Sequence, residues 1–384
     1  MDIIRGRFSQ KWINCPEDKR DYDIMRRGFM WHKERLAMDY CNRYDVPEIS
    51  DYEKREIVDY WAQFGILIYD LSWHKMYYSA TGIHDPRFVP DLVAGLVLYE
   101  YYNDRAYENT WRDKNMFDRL LPNVPQPRTF GKRIRKRYYV HNQPIEGGVV
   151  GFVDSIIESI ETKEDCDIII KNSRHSGFGR GVRKYHIRDK EDFLTAINEW
   201  ENCDNFIIQE FVEQHKSLAQ FNESSSNMIR VCSWRHGNDV EILYAAVRAG
   251  IPGSITDVSF VNGIERVQLV GIKNGVFANK MLDQDGRFVK ELPNNMRIPA
   301  WQRIVQIIKD NHPLVDNFDI IGWDFTIDKS ENPVCFEWNV QWPGTVLYQY
   351  TNGPLYGDMT ELLFGFLDDI NNKDNYIPYY MRIK

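Results

Sequence analysis

Apolar residues recur at helical spacing through the first part of the chain. Stretches such as EKREIVDYWAQFGILIYDL and PDLVAGLVLYEYYNDR place them three and four positions apart, which predicts helices with one buried face. Pro47 and the segment TGIHDPRFVP interrupt the pattern. Residues 1–108 are therefore expected to be mostly helical, and the cluster WHKMYYS, with His74, reads as packing. Closely spaced prolines in LPNVPQPRTF mark a lobe boundary or hinge at 121–130. Beyond it the pattern shortens to strand-like runs: VVGFVDSI, DCDIIIKNS, NFIIQEFVE, EILYAAVRAG and the pair DFTID and PVCFEWN. Helical runs intervene. DKEDFLTAINEW has Asp189 as a predicted N-cap, and PAWQRIVQIIKDNH places Pro299 in a predicted first turn. Strands and helices mixed in this way, with hairpin-length links, predict an α+β fold.

Composition bounds the picture without changing it. A chain of 384 residues can bury a large core and divide into two or three lobes. Its 43% hydrophobic and 27% charged residues are those of an ordinary globular protein. A formal charge of −8 argues against general nucleic-acid binding. The six cysteines form no CxxC pair and no zinc-like spacing, and Cys166 and Cys335 sit in apolar runs. No run approaches the roughly 18 apolar residues of a membrane helix, and the N-terminus lacks a secretory apolar core. A cytoplasmic location is expected.

The chemistry gathers in a few stretches. In IGWDFTIDKSENPVCFEWNVQWPGT, Glu337 and Asn339 alternate onto one strand face, and a hairpin would bring Asp324 beside them. Three oxygen donors of this kind suit a hard divalent cation such as Mg²⁺ together with phosphates. In DIIIKNSRHSGFGRGVRKYHI, a strand delivers Lys171 to a loop containing Gly177, Gly179 and Gly181. Glycines let backbone N–H groups approach phosphate oxygens, although an ordinary flexible turn also explains them. The loop is neither a Walker loop nor a Rossmann fingerprint. NFIIQEFVEQH offers Gln209, Glu210, Phe211 and Val212 as contacts for a nucleotide base, or simply as a core strand with a polar end. Lys114 opens a predicted amphipathic helix. Arg230 and Arg248 lie in otherwise apolar strands, where a buried guanidinium needs an anion, phosphate or carboxylate, as partner. The basic run RTFGKRIRKRYY reads as a charge-protected edge strand or a dock for an anionic substrate.

The order of these elements is more specific than any one of them. RDK and a helix, a proline-rich link, strand-Lys-glycine loop, QEFV, NMIRV, VRAGIPGS, the PAWQRI helix and Asp…Glu-x-Asn with WNVQWPG together resemble the ATP-grasp superfamily, in particular its sugar-transfer-associated group, over residues 109–350. The resemblance implies an ATP-grasp fold of two α+β lobes, 109–208 with a glycine-rich lid and 209–384 with hinge and metal site, preceded by the helical region 1–108. It implies that Lys114 and Lys171 hold ATP phosphates and that Gly177, Gly179 and Gly181 form the lid. Gln209, Glu210, Phe211 and Val212 would form the adenine hinge. Asp324, Glu337 and Asn339 would bind Mg²⁺, while Arg230 and Arg248 face the γ-phosphate as catalytic residues. The implied activity is an ATP-dependent ligase that joins a small-molecule, sugar-acid or peptide carboxylate to an amine through an acyl phosphate, in polysaccharide or cell-surface glycan biosynthesis. A kinase on the same fold and a non-catalytic nucleotide-binding protein are the alternatives. The basic loop NSRHSGFGRG departs from the small-residue loop usual in the superfamily.

Overall fold

Among the described residues, two large antiparallel sheets and a separate two-stranded hairpin follow a set of helices. The computed structural model describes residues 35–367, apart from 67, 69, 160–164, 175–180 and 263. Among the described residues, no helix is long and apolar enough to cross a membrane.

The first sheet contains β1 (Thr129–Ile134), β2 (Arg137–Val140), β3 (Gln143–Ile145), β4 (Cys166–Asn172), β5 (Val182–Ile187) and β6 (Phe206–Glu210). Its order is β3-β2-β1-β6-β4-β5. Side chains alternate along each strand, so Ile168 and Ile170 of β4 face one way with Phe206 and Ile208 of β6. Helices Gly148–Ser159 and Lys190–Asn198 cover this face through Phe152, Ile156, Phe193 and Ile197. The expected Asp189 cap is present and accepts from the Asp192 N–H. VVGFVDSI is helical, not the expected strand. Val149, Phe152, Val153 and Ile156 are spaced to pack one helix face on the sheet, a solution that a short apolar run also permits.

The second sheet contains β7 (Met228–His236), β8 (Asp239–Ala249), β11 (Gln268–Lys273), β12 (Val276–Phe277), β13 (Lys280–Asp283), β14 (Phe288–Glu291), β15 (Ile320–Ile327) and β16 (Pro333–Asn339). The order is β14-β13-β11-β8-β7-β15-β16, with β12 paired to β11. A separate hairpin of β9 (Ser259–Val261) and β10 (Ile264–Arg266) projects between β8 and β11. Helix Trp301–Asn311 covers one face with Ile304 and Ile308, against Val231, Trp323 and Trp338. It begins after Pro299, with Ala300 in left-handed backbone as N-cap, so the proline precedes the helix rather than opening it.

The other face of the second sheet is covered by the N-terminal helices Asp51–Ala62 and Ser72–Thr81 and the helical stretch 91–102, with Val346–Asn352 and Thr360–Phe364 from the C-terminal side. Trp61, Tyr77, Trp234, Tyr244 and Tyr348 share one core there. The described part of the N-terminal region is therefore built into the second sheet's core. His74 lies fully buried in it, as the packing reading expects.

Candidate active site

The site lies where the second sheet's N-terminal-facing rows turn from apolar to charged. Counting by twos along each strand, Trp234 and Cys232 lead to Arg230, Tyr244 and Ala246 to Arg248, and Ile320 and Gly322 to Asp324. Arg230 pairs with Asp324 across β7 and β15, and Asp324 pairs with Glu337 across β15 and β16. Directly opposed residues share a face, so three strands present these side chains to one space. Asn339 pairs with Gly322 and joins them diagonally. Phe325 pairs with Cys335 while Asp324 pairs with Glu337, which leaves Phe336 as a bulge. The bulge aims the Phe336 ring at Lys171 of the first sheet, 5.6 Å from its Nζ.

The charges form one network. Arg230 grips Asp324 in a fork, Nε to Oδ1 at 2.5 Å and Nη2 to Oδ2 at 2.9 Å, and Nη1 donates to the Pro343 carbonyl. Gly322 makes room for this reach, since a Cβ there would lie 3.2 Å from Arg230 Cδ. Arg248 Nη2 lies 3.1 Å from Asp324 Oδ2 and 2.6 Å from Asp257 Oδ2. The Asn339 amide N–H donates to Asp324 Oδ2 at 3.1 Å and to the Gly322 carbonyl. Tyr348 lies under the Arg230 guanidinium, 5.6 Å from ring centre to Cζ.

Lys114 and Lys171 enter from the first sheet's side. Lys114 opens a short 3₁₀ turn capped by Asp113; its backbone N–H donates to the Ser173 carbonyl and its Nζ lies 2.8 Å from Glu337 Oε2. This single residue ties the end of β4 to the β16 strand. Lys171 follows Ile169 on the β4 face turned away from the first sheet's core, and only 6% of it is exposed. Burial, with the charge of Lys114 beside it, lowers its amine to about 7. Burial pushes the Glu337 carboxyl up, but Lys114, Lys171 and Arg248 outweigh that and hold it below the usual carboxylate range. Glu337 is thus an anionic oxygen donor at neutral pH.

The remaining expected residues are distributed as follows. Gly177 and Gly179 lie outside the described residues. Gly181, at φ +67°, closes the β4–β5 connection, its carbonyl accepting from the Asn172 N–H at 3.0 Å. Arg174, at the head of that loop, bonds Asp113 at 2.5 Å. Gln209 and Glu210 end β6 next to β1: the Gln209 amide donates to Thr129 Oγ1 at 3.3 Å, and Glu210 Oε1 accepts from the Arg128 N–H at 2.8 Å. The Phe211 backbone N–H bonds the Asp167 carbonyl, and its ring lies 3.6 Å from Lys184 Nζ. Val212 is buried.

The basic run is not an edge strand, and its Lys132 and Arg133 are turned inward. β1 lies inside the sheet between β2 and β6. Lys132 Nζ is buried and bonds the Asn115 carbonyl, Asp118 and Asn142, while Arg133 Nη1 bonds the carbonyls of Trp200, Glu201 and Cys203. Paired buried cations of this kind tie segments together.

Sequence reasoning passed over Asp257, Tyr348 and Asp113. Asp257 follows the glycine turn after Arg248, and an acid beside a run that carries a buried arginine was the available signal. A cavity of about 480 Å³ opens beside Lys114, Glu337 and Asn339, with Arg112 and Arg174 in its wall. Asp324, Glu337 and Asn339 supply only oxygen-type donors, the preference of a hard cation such as Mg²⁺. Among the described residues no three His, Cys, Asp or Glu side chains make a metal group by themselves, so Asn339 is needed to complete a three-ligand set.

A family model described as sugar-transfer associated ATP-grasp matches residues 97–359. Among solved structures, the chain is similar to biotin carboxylase from Campylobacter jejuni, with TM-score 0.42 and 10% identity over 68% of this chain and 46% of that one. It is similar to the VanG D-Ala:D-Ser ligase from Enterococcus faecalis, with TM-score 0.42 and 11% identity over 68% and 62%. A third is the ATP-grasp ligase PsnB complexed with a minimal precursor, with TM-score 0.38 and 14% identity over 70% and 63%. The chain spans less than two thirds of the length of each. Curated proteins offer no sequence match.

Proposed function

The chain belongs to the sugar-transfer-associated ATP-grasp family, and from that membership we propose an ATP-dependent carboxylate–amine ligase that works through an acyl phosphate. The observation that carries this reading is the meeting of two lysines from the first sheet's side with the carboxylate hairpin of the second. Lys114, beside Glu337, and Lys171, beside Phe336, would hold phosphates as point charges. The Lys114–Glu337 ion pair gives each partner its counter-charge before ligands arrive. A triphosphate would take Lys114 over, freeing the Glu337 carboxylate. Asp324, Glu337 and Asn339 would hold Mg²⁺, which neutralises phosphate charge and fixes its orientation.

The substrate carboxylate attacks the γ-phosphorus in line, the bond to the β-phosphate oxygen breaks, and ADP leaves. The amine nitrogen then attacks the acyl carbon, the bond to the phosphate oxygen breaks, and the amine gives up a proton as inorganic phosphate departs. Arg230 and Arg248 stabilise the charge that spreads over the transferring group. Arg112 and Arg174 in the cavity wall suit an anionic substrate, and the neighbouring Asn109 and Thr110 suit hydroxyl groups, which favours a sugar acid or peptide carboxylate. Polysaccharide or cell-surface glycan biosynthesis, carried out from the cytoplasm, is the proposed setting.

Hydroxylamine trapping tests the reaction class. With Mg²⁺·ATP and a panel of sugar acids, amino acids and peptides, the protein is expected to form a hydroxamate with equal ADP and phosphate. A phosphorylated hydroxyl product without phosphate release would refute the ligase and favour the kinase.

A further inference from the structure

The carboxylate hairpin works only in one register. Shifting a strand by one residue turns every side chain to the opposite face, which would send Glu337 and Asn339 toward Ile304 and Trp323. The pairing of β15 with β16 ends at Gly322 and Asn339. Just past that end the two strands part, and the side chain of Asn103 sits between them. Its Nδ2 donates to the Ile320 carbonyl at 2.8 Å and to the Val340 carbonyl at 2.6 Å. Its Oδ1 accepts from the Ile320 N–H at 3.0 Å. The amide thus satisfies both backbone groups of Ile320 and the carbonyl next to Asn339.

Asn103 is itself well anchored. It ends the helix that reaches Tyr102, its N–H bonds the Tyr99 carbonyl, and it bridges Phe318 in antiparallel fashion. Asp104 N–H bonds the Asn317 carbonyl, and Asp319 N–H bonds the Tyr102 carbonyl. Only 2% of the residue is exposed, so the three bonds are made without competing water. The same region holds the strand exit at further points. Trp338 Nε1 donates to the Trp111 carbonyl and the Tyr99 hydroxyl to the Gly344 carbonyl, while Arg112 bonds Gln341. Trp342 lies over Gly95, within a π-helical turn at Ala94–Leu98, where a Cβ would clash with its ring.

We propose that Asn103 is a positioning residue for the Mg²⁺ end of the nucleotide site, locking the register of the Asp324–Glu337–Asn339 hairpin. The inference rests on the reading of that hairpin as Mg²⁺ ligands. It gives the N-terminal helices a function in the chemistry: they brace the hairpin from outside the two sheets. An asparagine suits this place because one planar amide offers two donors and an acceptor. Aspartate has the same shape and can donate to neither carbonyl.

The test uses the full chain with Asn103→Asp, and Asn103→Ser as a gentler variant should the first fail to fold. ADP binding is measured by calorimetry with EDTA and with Mg²⁺, and amide hydrogen exchange is followed along β15, β16, β4 and β6. The expected result is unchanged affinity in EDTA, with the Mg²⁺ enhancement reduced about tenfold or more, the scale typical for loss of an outer partner of a metal ligand. Exchange should quicken at 337–340 and stay unchanged in β4 and β6. Wild-type Mg²⁺ enhancement in a folded variant would overturn the proposal, and so would an equal loss of affinity with and without Mg²⁺. If the wild-type chain itself shows no Mg²⁺ enhancement, the metal reading of the hairpin fails first, whatever the variants do.

Discussion

Nucleotide binding to this site should draw in a proton, and Lys171 is the reason. Its amine is lowered to about 7 by burial and by Lys114. Phosphate oxygens would favour its charged form and return it toward the ordinary value of about 10.4. Binding is then coupled to proton uptake whenever the empty site is neutral, so affinity falls as pH rises above the empty-site value. At about pH 8 roughly one tenth of empty sites carry the proton, and binding should take up about 0.9 proton. Between about pH 7.5 and 9.0, where terminal phosphates are already ionised, ADP affinity should fall about 25-fold, or ~1.9 kcal/mol. Calorimetry at pH 8 in two buffers of different ionisation enthalpy measures the uptake directly, and titrations across the range give the slope. Lys171→Arg keeps a charge at all these pH values, so its uptake and its slope should vanish. An unchanged slope in that variant, or no uptake by the wild type at pH 8, would refute the assignment of Lys171 to the phosphates.

Three further changes probe the network. Glu337→Gln should abolish the Mg²⁺ enhancement of ADP binding and cost up to about 3 kcal/mol in urea melts, because it removes the carboxylate partner of a largely buried Lys114. Asp324→Asn should lower stability by about 3–5 kcal/mol in the same melts, since it leaves Arg230 buried with an uncompensated charge while Arg248 keeps Asp257. Gly95→Ala places a methyl against the Trp342 ring; an overpacking cost of about 1–3 kcal/mol is expected, read as a lower Tm and a changed near-UV signal from tryptophan.

Much of the site was legible because its signals are local. Alternation along DFTID and PVCFEWN places Glu337 and Asn339 on one face, and the short KSEN link permits the pairing that adds Asp324. Arg230 and Arg248 stand out as charges in apolar strands, and the structure supplies the anions they require, Asp324 and Asp257. The ambiguous elements failed where periodicity is silent. VVGFVDSI is short enough to read either way, and only the sheet beneath it selects the helix. The edge-strand reading of the basic run failed for a different reason: carbonyls of Trp200, Glu201 and Cys203 draw Arg133 inward, and no local pattern announces backbone acceptors so distant in the chain.

The same distinction explains why the N-terminal helices looked featureless. Asn103 is an ordinary polar residue at a helix end until Ile320 and Val340 are placed around it, more than two hundred positions later. Gly95 in an apolar helix reads as a weak spot, yet the missing Cβ is what admits Trp342. In both cases the chemistry-bearing residues lie on the hairpin, and the residues that hold it lie where sequence patterning reports only burial. A ligand set on a strand pair is legible from alternation, whereas the register that makes it a set is enforced by non-local bonds. Regions without chemical motifs are thus where the supports of a site are to be sought.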